Sequence, residues 1–269
     1  MKHLCLAVCE NLRREVGLAV RECGFEDVSV VSFPSECGRP ALTAEQLAGA
    51  VREVCGGDCD VRVIGGVCIS KLTPAEICTG DCEFVPMKQC FAPFFSETYV
   101  EQQSAAGAYV LTAGWLENWR ANIDKLGFDK EAVREFFSGS IKKVLLLDSC
   151  VNPDIRKELE AFAAYIGLPY EVVDAGLDFC KLFVSNIVRE WKLERIAAQA
   201  GRIVAESNRR AAAYAMVAET VGEIARTTAL DGVVMSLFSF FDMLFAPSRQ
   251  AILSKDAEGE RLWVWPVSR

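Results

Sequence analysis

Short β-rich segments alternate with amphipathic helical segments through the first two thirds of this chain, and that order leaves few folds open. His3 to Val8 is an unbroken apolar run and reads as a buried strand. Asn11 to Cys23 carries Leu12, Val16, Leu18 and Val20 toward one side and reads as a helix. Asp27 to Phe33 is a second strand, followed by a loop over Ser35 to Pro40. Thr43, with Glu45 and Gln46 close behind, is a helix N-cap, and the helix runs to about Cys55 before Gly56-Gly57. Asp60 to Ile64 is a third strand, stopped by Gly65-Gly66. Strand, helix, strand, helix, strand implies a parallel sheet with helices on its faces.

The stretch from 67 to 106 is read as irregular, with a short strand at Glu83 to Pro86 and an apolar run, Phe91-Ala-Pro-Phe-Phe, that walls a pocket or packs under a loop. Long loops in compact domains are functional or disordered, and this one is too apolar for disorder. Alternation then resumes. Ala108 to Thr112 is a strand, Trp115 to Lys125 and Lys130 to Phe137 are helices, and Lys142 to Asp148 is the clearest buried strand. A helix from Asn152-Pro153-Asp154 to Ile166 starts with proline in its favoured first-turn place and leads to a strand at Tyr170 to Val173. The expected fold is α/β, with two Rossmann-like parallel-sheet halves, 1–106 and 107–190.

From about Phe183 the texture becomes helical. Leu193, Ile196, Ala200, Ile203, Ser207, Arg210, Tyr214, Val217, Val221 and Ile224 are spaced alternately three and four apart. That is a heptad seam longer than four heptads, which predicts a coiled coil over 191–228. Ser207 and Arg210 interrupt it, a device that costs stability and fixes register. The other reading is a single helix packed on its own core. If the seam is a dimer, the homodimer forms through Leu193, Ile196, Ile203, Tyr214, Val217, Val221 and Ile224. Residues 229–269 then read as a short apolar helix, Asp231 to Phe245, and a hairpin of Gln250 to Ser254 and Arg261 to Val267 around Asp256 to Gly259. Two strands alone are marginal, so the ribbon either pairs with another strand or belongs to a longer chain's sheet.

Lysine and arginine total 29 against 37 aspartates and glutamates, a net charge of −8. An acidic chain lacks the basic face that displaces counterions from phosphates, so no nucleic-acid partner is expected. The longest apolar stretch, Val233 to Pro247, is broken by Ser236, Ser239 and Asp242 and is too short for a bilayer, and the amino terminus lacks a signal-peptide core. A cytoplasmic, membrane-free protein is expected.

In a reducing compartment, 12 cysteines are not a disulfide framework. Three pairs have C-x3-C spacing, unlike the C-x2-C of zinc ribbons and ferredoxin-type clusters. Position says more than spacing, because functional groups of open parallel sheets gather outside the strands' carboxyl ends. Cys9 follows the first strand, Cys68 the third, Cys150 the strongest, and Cys90 lies in the irregular segment above the same edge. Converging thiolates there suit an iron–sulfur cluster or zinc, with Cys9, Cys68, Cys90 and Cys150 as the expected metal ligands. Asp148 and Ser149, at a strand's end, are expected to bind a cofactor, Asp148 alternatively capping the next helix. The other reading is scattered core thiols with one reactive cysteine. Cys5, Cys23, Cys55 and Cys59 are read as bland. His3, the only histidine, stands at the start of a strand, away from this rim. Trp115, Trp119 and Trp191 are read as helix-face anchors. No G-x-G-x-x-G follows the first strand, no phosphate-binding loop occurs and Ser149 lacks a G-x-S-x-G elbow, so no catalytic residue is assigned.

The first strand ending in Cys9, the Gly66-x-Cys68 turn, the Cys90 segment before Phe91, Ala108-Tyr-Val-Leu-Thr-Ala-Gly-Trp115 and the Leu-Leu-Leu-Asp-Ser stretch ending at Ser149 together resemble the domain-of-unknown-function family 1638 over residues 1 to about 190. The resemblance implies an anaerobic, corrinoid- or redox-linked setting. Ser70 and Lys88-Gln89 depart from its pattern, which puts an asparagine after the turn cysteine and His-Asp before the later one; Cys150 then supplies a replacement thiol. The heptad helix, Glu219 to Thr228, the apolar helix and the hairpin resemble the linker and first elements of a GAF-type sensor domain, as in sensor histidine kinases. Two functions follow as expectations. One is a sensory input module that binds a metal, cluster or small cofactor and relays through a dimeric helix, with a downstream kinase domain as partner. The other is an accessory protein or enzyme of corrinoid-linked methyl transfer, with a corrinoid protein as partner and a thiolate-bound zinc or iron–sulfur site.

Overall fold

A computed structural model describes residues 3–35, 42–55, 59–77, 81–125, 127, 129–226, 229–245, 251–255 and 262–266. They fall into two compact units, Met1–Lys192 and Leu193–Arg269.

The first unit opens with β1 (His3–Cys9), α1 (Arg13–Glu22), β2 (Val28–Phe33), α2 (Ala44–Cys55), β3 (Cys59–Gly65), the single turn α3 (Pro74–Ile77) and β4 (Cys82–Pro86). All four strands are parallel, in the order β2-β1-β3-β4. Strand periodicity divides β1 cleanly. Leu4, Leu6 and Val8 pack with Val16 and Val20 of α1 and with Leu12 just before it, while Cys5, Ala7 and Cys9 face Leu47 and Val51 of α2. Thr43 starts α2 as a reciprocal cap: its backbone N–H donates to Gln46 Oε1 at 2.8 Å and its hydroxyl accepts from the Gln46 N–H at 3.2 Å.

The second lobe holds α4 (Glu97–Ala105), β5 (Ala108–Thr112), α5 (Ala113–Glu117), α6 (Trp119–Asp124), α7 (Lys130–Ser138), β6 (Lys143–Asp148), α8 (Ile155–Ile166) and β7 (Tyr170–Asp174). Its parallel sheet has the order β5-β6-β7. The stretch 67–106 is more regular than its sequence suggests. It contains α3, and it contains α4, capped by the Ser96 hydroxyl that accepts from the Tyr99 N–H at 3.3 Å. Only Val100 of α4 is buried, so the segment lacks the apolar stripe that signals a helix. The Phe91–Phe95 run packs between lobes: Phe94 and Phe95 meet the β1 core, and Phe91 and Phe95 meet that of β5 and β6. Trp115 and Trp119 lie against Phe162 at centroid distances of 5.5 and 5.4 Å, the anchoring role expected of them.

A 49-residue helix, α9 (Asp178–Arg226), begins five residues before the expected start at Phe183. Cys180, Val184, Ile187, Val188 and Trp191 bury in the core of the first lobe beside α1. The Trp191 indole N–H donates to the buried Asp60 carboxylate at 2.9 Å, and Lys192 pairs with Asp27 at 3.0 Å. The chain thus returns to the first lobe after completing the second.

In the second unit, α9 continues from Leu193 and α10 (Leu230–Phe245) follows. A groove between them is lined by Met216, Thr220 and Glu223 from α9 and Met235, Ser239 and Phe240 from α10. β8 (Ala251–Lys255) and β9 (Leu262–Pro266) form the antiparallel hairpin; its expected turn at 256–259 lies outside the described residues. Among the described residues, no helix is long and apolar enough to cross a membrane.

Candidate functional site

The two lobes of the first unit meet where chain leaves the carboxyl ends of β1, β5 and β6. A Cβ built on Gly114 of α5 would lie 2.0 Å from the backbone oxygen of Asn11, so the two backbones touch with no room for a side chain. Beside this contact, the Ser149 hydroxyl donates to Glu15 Oε1 at 3.0 Å, both residues being buried. Glu15 Oε2 has no hydrogen-bond partner among the described residues. Burial raises the Glu15 carboxyl above its ordinary range, against the lowering effect of hydrogen bonds from its own backbone and Ser149. Arg14 pairs with Glu117 at 3.1 Å, and the Asn152 amide donates to the same Glu117 at 2.6 Å. The fully buried Cys180 thiol is pushed up to about 12, mainly by burial and then by Glu15 and Cys23, and stays a neutral thiol.

The turn after β6 carries the most chemistry. Asp148 is buried, its Oδ1 accepts from the Cys150 N–H at 2.8 Å, and its Oδ2 accepts from Arg156 Nε at 3.4 Å. Its backbone oxygen accepts from the Ala175 N–H at 2.7 Å, tying the turn to the end of β7. Arg156, from the first turn of α8, also pairs with Asp174 at 2.7 Å. Cys150 is exposed and has φ +58°, a left-handed conformation that costs a side-chain-bearing residue about 1–2 kcal/mol. One ligand atom from each of Asp148, Cys150 and Asp174 lies within 4.8 Å of the others. Two carboxylates and a thiol are a donor set for a borderline divalent ion such as zinc. Arg156 already pairs with both carboxylates, so an ion there must displace its guanidinium.

Residues 39–183, more than half of the chain, match the model of DUF1638, described as a protein of unknown function. The chain belongs to this family. The DUF1638 region takes in Asp148, Cys150, Arg156 and Asp174 but begins beyond Cys9 and Glu15. No curated protein and no solved structure matches the chain.

Within this DUF1638 chain the four cysteines singled out from sequence fall in three places, Cys9 and Cys68 sharing one core. Cys9 ends β1, buried, and belongs to the core under α2. Cys68 sits in a single turn after β3, half-buried against that same core. Cys90 lies between β4 and α4, its Sγ 3.9 Å from where a Gly66 Cβ would stand. Cys150 is on the other lobe. Among the described residues these four thiols form no group of three ligands; the group that does form joins Cys150 to Asp148 and Asp174. Asp148 and Ser149 do stand at the carboxyl end of β6, but Ser149 is engaged by Glu15 and Asp148 braces the turn rather than capping α8. Cys5 is wholly buried, Cys23 caps α1, and Cys59 opens β3. Cys37 and Cys78 lie outside the described residues. Sequence reasoning missed Glu15, Arg156 and Asp174. Glu15 was visible as a carboxylate at the i−1 position to Val16, on the buried side of α1; Asp174 follows Val173 at the end of a strand.

Proposed function

We propose that this protein is a sensory input module of a signalling protein, whose α/β body binds a borderline divalent metal ion at the ends of β6 and β7 and passes the change to a dimeric helix. The observation that carries the reading is the convergence of Asp148, Cys150 and Asp174 within 4.8 Å. Mixed oxygen and sulfur donors favour zinc over an iron–sulfur cluster, which takes thiolates. Binding would release Arg156 from Asp148 and Asp174, and Arg156 belongs to α8; that exchange of one cation for another is the switching event. The relay is supported by α9, whose first turns lie in the α/β core and whose continuation bears the exposed heptad seam. The helix and hairpin that follow resemble the opening of a GAF-type domain, with a kinase domain as the downstream partner.

Anaerobic purification of the intact chain, metal analysis, an optical spectrum and zinc titration after chelation test the reading. A colourless protein binding one zinc per chain, with affinity reduced at least tenfold in Cys150→Ser, is the expected result. A brown protein with broad visible absorption would assign a cluster to other thiols and overturn this ligand set. A folded chain with no affinity for zinc would overturn metal sensing.

A further inference from the structure

The α9 stripe is left largely open by its own unit: of the ten seam positions, Val217 and Ile224 are half-buried and the rest are exposed. Leu193, Ile196, Ile203, Tyr214 and Val221 are 58–73% exposed. The groove with α10 uses Met216, Thr220 and Glu223, which lie to one side of Tyr214, Val217 and Val221 on the helix surface. Covering five such side chains on each of two copies removes roughly 1,000 Å² from water, the scale of a specific interface.

Charges flanking a coiled-coil seam set partner orientation in most such helices. Here they are nearly missing. The positions on either side of the seam are alanine, valine, glutamine and threonine, with Lys192 and Glu206 the two charges; Lys192 is held by Asp27 and Glu206 by Arg210 of its own helix. The layers of the seam must therefore choose the orientation themselves. In parallel pairing every residue faces its own copy. Arg210 would meet Arg210, Tyr214 would meet Tyr214 and Ala200 would meet Ala200, which places like charges together, overfills one layer and leaves another short of atoms. In antiparallel pairing centred between Ser207 and Arg210, all ten positions still find partners, and the volumes even out. Leu193 faces Ile224, Ile196 faces Val221, Ala200 faces Val217, Ile203 faces Tyr214, and Arg210 faces the small, polar Ser207. We infer that a second copy of this chain docks on the α9 stripe antiparallel, in this register. The inference rests on the dimeric helix of the proposed function. It brings Leu193 of one copy beside Ile224 of the other, two positions about 46 Å apart along a single helix, so that a change at the start of one seam is felt at the end of its partner's.

The test uses the full chain with a photo-cross-linking phenylalanine analogue at the exposed position 214, mixed as light and heavy isotopic copies, with solution mass measured in parallel. A dimer whose inter-copy cross-link maps to 200–207 is the expected result. A dimer cross-linked at 211–217 overturns the orientation and leaves the dimeric helix intact. A monomer at concentrations up to those of the cross-linking overturns both. Ser207→Glu supplies an independent arm. Antiparallel pairing sets the new carboxylate against the partner's Arg210 and holds or tightens the dimer, by about fivefold at most. Dissociation of a folded Ser207→Glu chain refutes the antiparallel register, since parallel pairing sets the two new carboxylates against each other.

Discussion

Substituting Gly114 by alanine tests the seam on which the candidate site depends. The new methyl would sit 2.0 Å from the Asn11 carbonyl oxygen, 2.6 Å from its carbon and 2.8 Å from its Cα. All three are backbone atoms, so no side chain can swing away. The lobes must part by roughly 1 Å to restore ordinary contact, and overpacking of this kind costs about 1–3 kcal/mol. Parting them also stretches the buried Ser149–Glu15 hydrogen bond, whose loss costs about 1–3 kcal/mol more because Glu15 stays buried. A total of about 2–6 kcal/mol is expected, which lowers the melting temperature by roughly 4–24 °C for a chain of this size. Gly17 is the control. It lies inside α1 and an added Cβ meets nothing within 4 Å, so Gly17→Ala raises stability by about 0.5–1 kcal/mol through helix propensity alone. Urea unfolding of both variants, followed by circular dichroism, measures the pair. A Gly114→Ala protein within 0.5 kcal/mol of its parent would show that the lobes do not meet at this contact.

Glu15→Gln should remove a pH dependence. A carboxyl whose folded pKa is raised contributes most at low pH, and that contribution is lost as pH rises from the unfolded pKa through the folded one. The glutamine variant should therefore gain on the parent as pH rises from about 4 in urea unfolding; a variant that loses ground to the parent as pH rises would reverse the sign of the argument. Trp191→Phe deprives the buried Asp60 carboxylate of the indole donor and should cost about 1–3 kcal/mol, read from the denaturation midpoint; a neutral variant would mean that this bond does not hold α9 to the first lobe. Cys150→Gly relieves the left-handed backbone and should stabilise the chain by about 0.5–1 kcal/mol while abolishing zinc binding. A less stable glycine variant would show the thiol itself holds the turn.

The α/β order was legible because each strand is a short apolar run closed by a polar or glycine signal, as at Asp148 and at Gly65-Gly66. α4 was not, since its one buried residue, Val100, leaves no period to detect. Nor was the return of α9 to the first lobe. Cys180, Val184, Val188 and Trp191 recur at helical spacing, but periodicity reports that a face is buried and never which lobe buries it. The Ser149–Glu15 contact spans 134 positions of sequence, and no local pattern encodes such a pairing.

The cysteines show why position on the rim was only half of the argument. Side chains on a strand alternate between its two faces, so Cys5 and Cys9 share one face of β1, and Cys59 and Cys82 join the same core beneath α2. Cys9, the last residue of β1, faces that core, whereas Cys150 lies beyond the end of β6, where the chain has turned out of the sheet. Asp148 reaches the site from the last residue of β6, and Asp174 from its register partner in β7. Parallel register therefore brought the two carboxylates together, and the left-handed turn two residues after Asp148 brought the thiol to them. The convergence depends on pairing between strands, a relation that counting thiols along the chain does not contain.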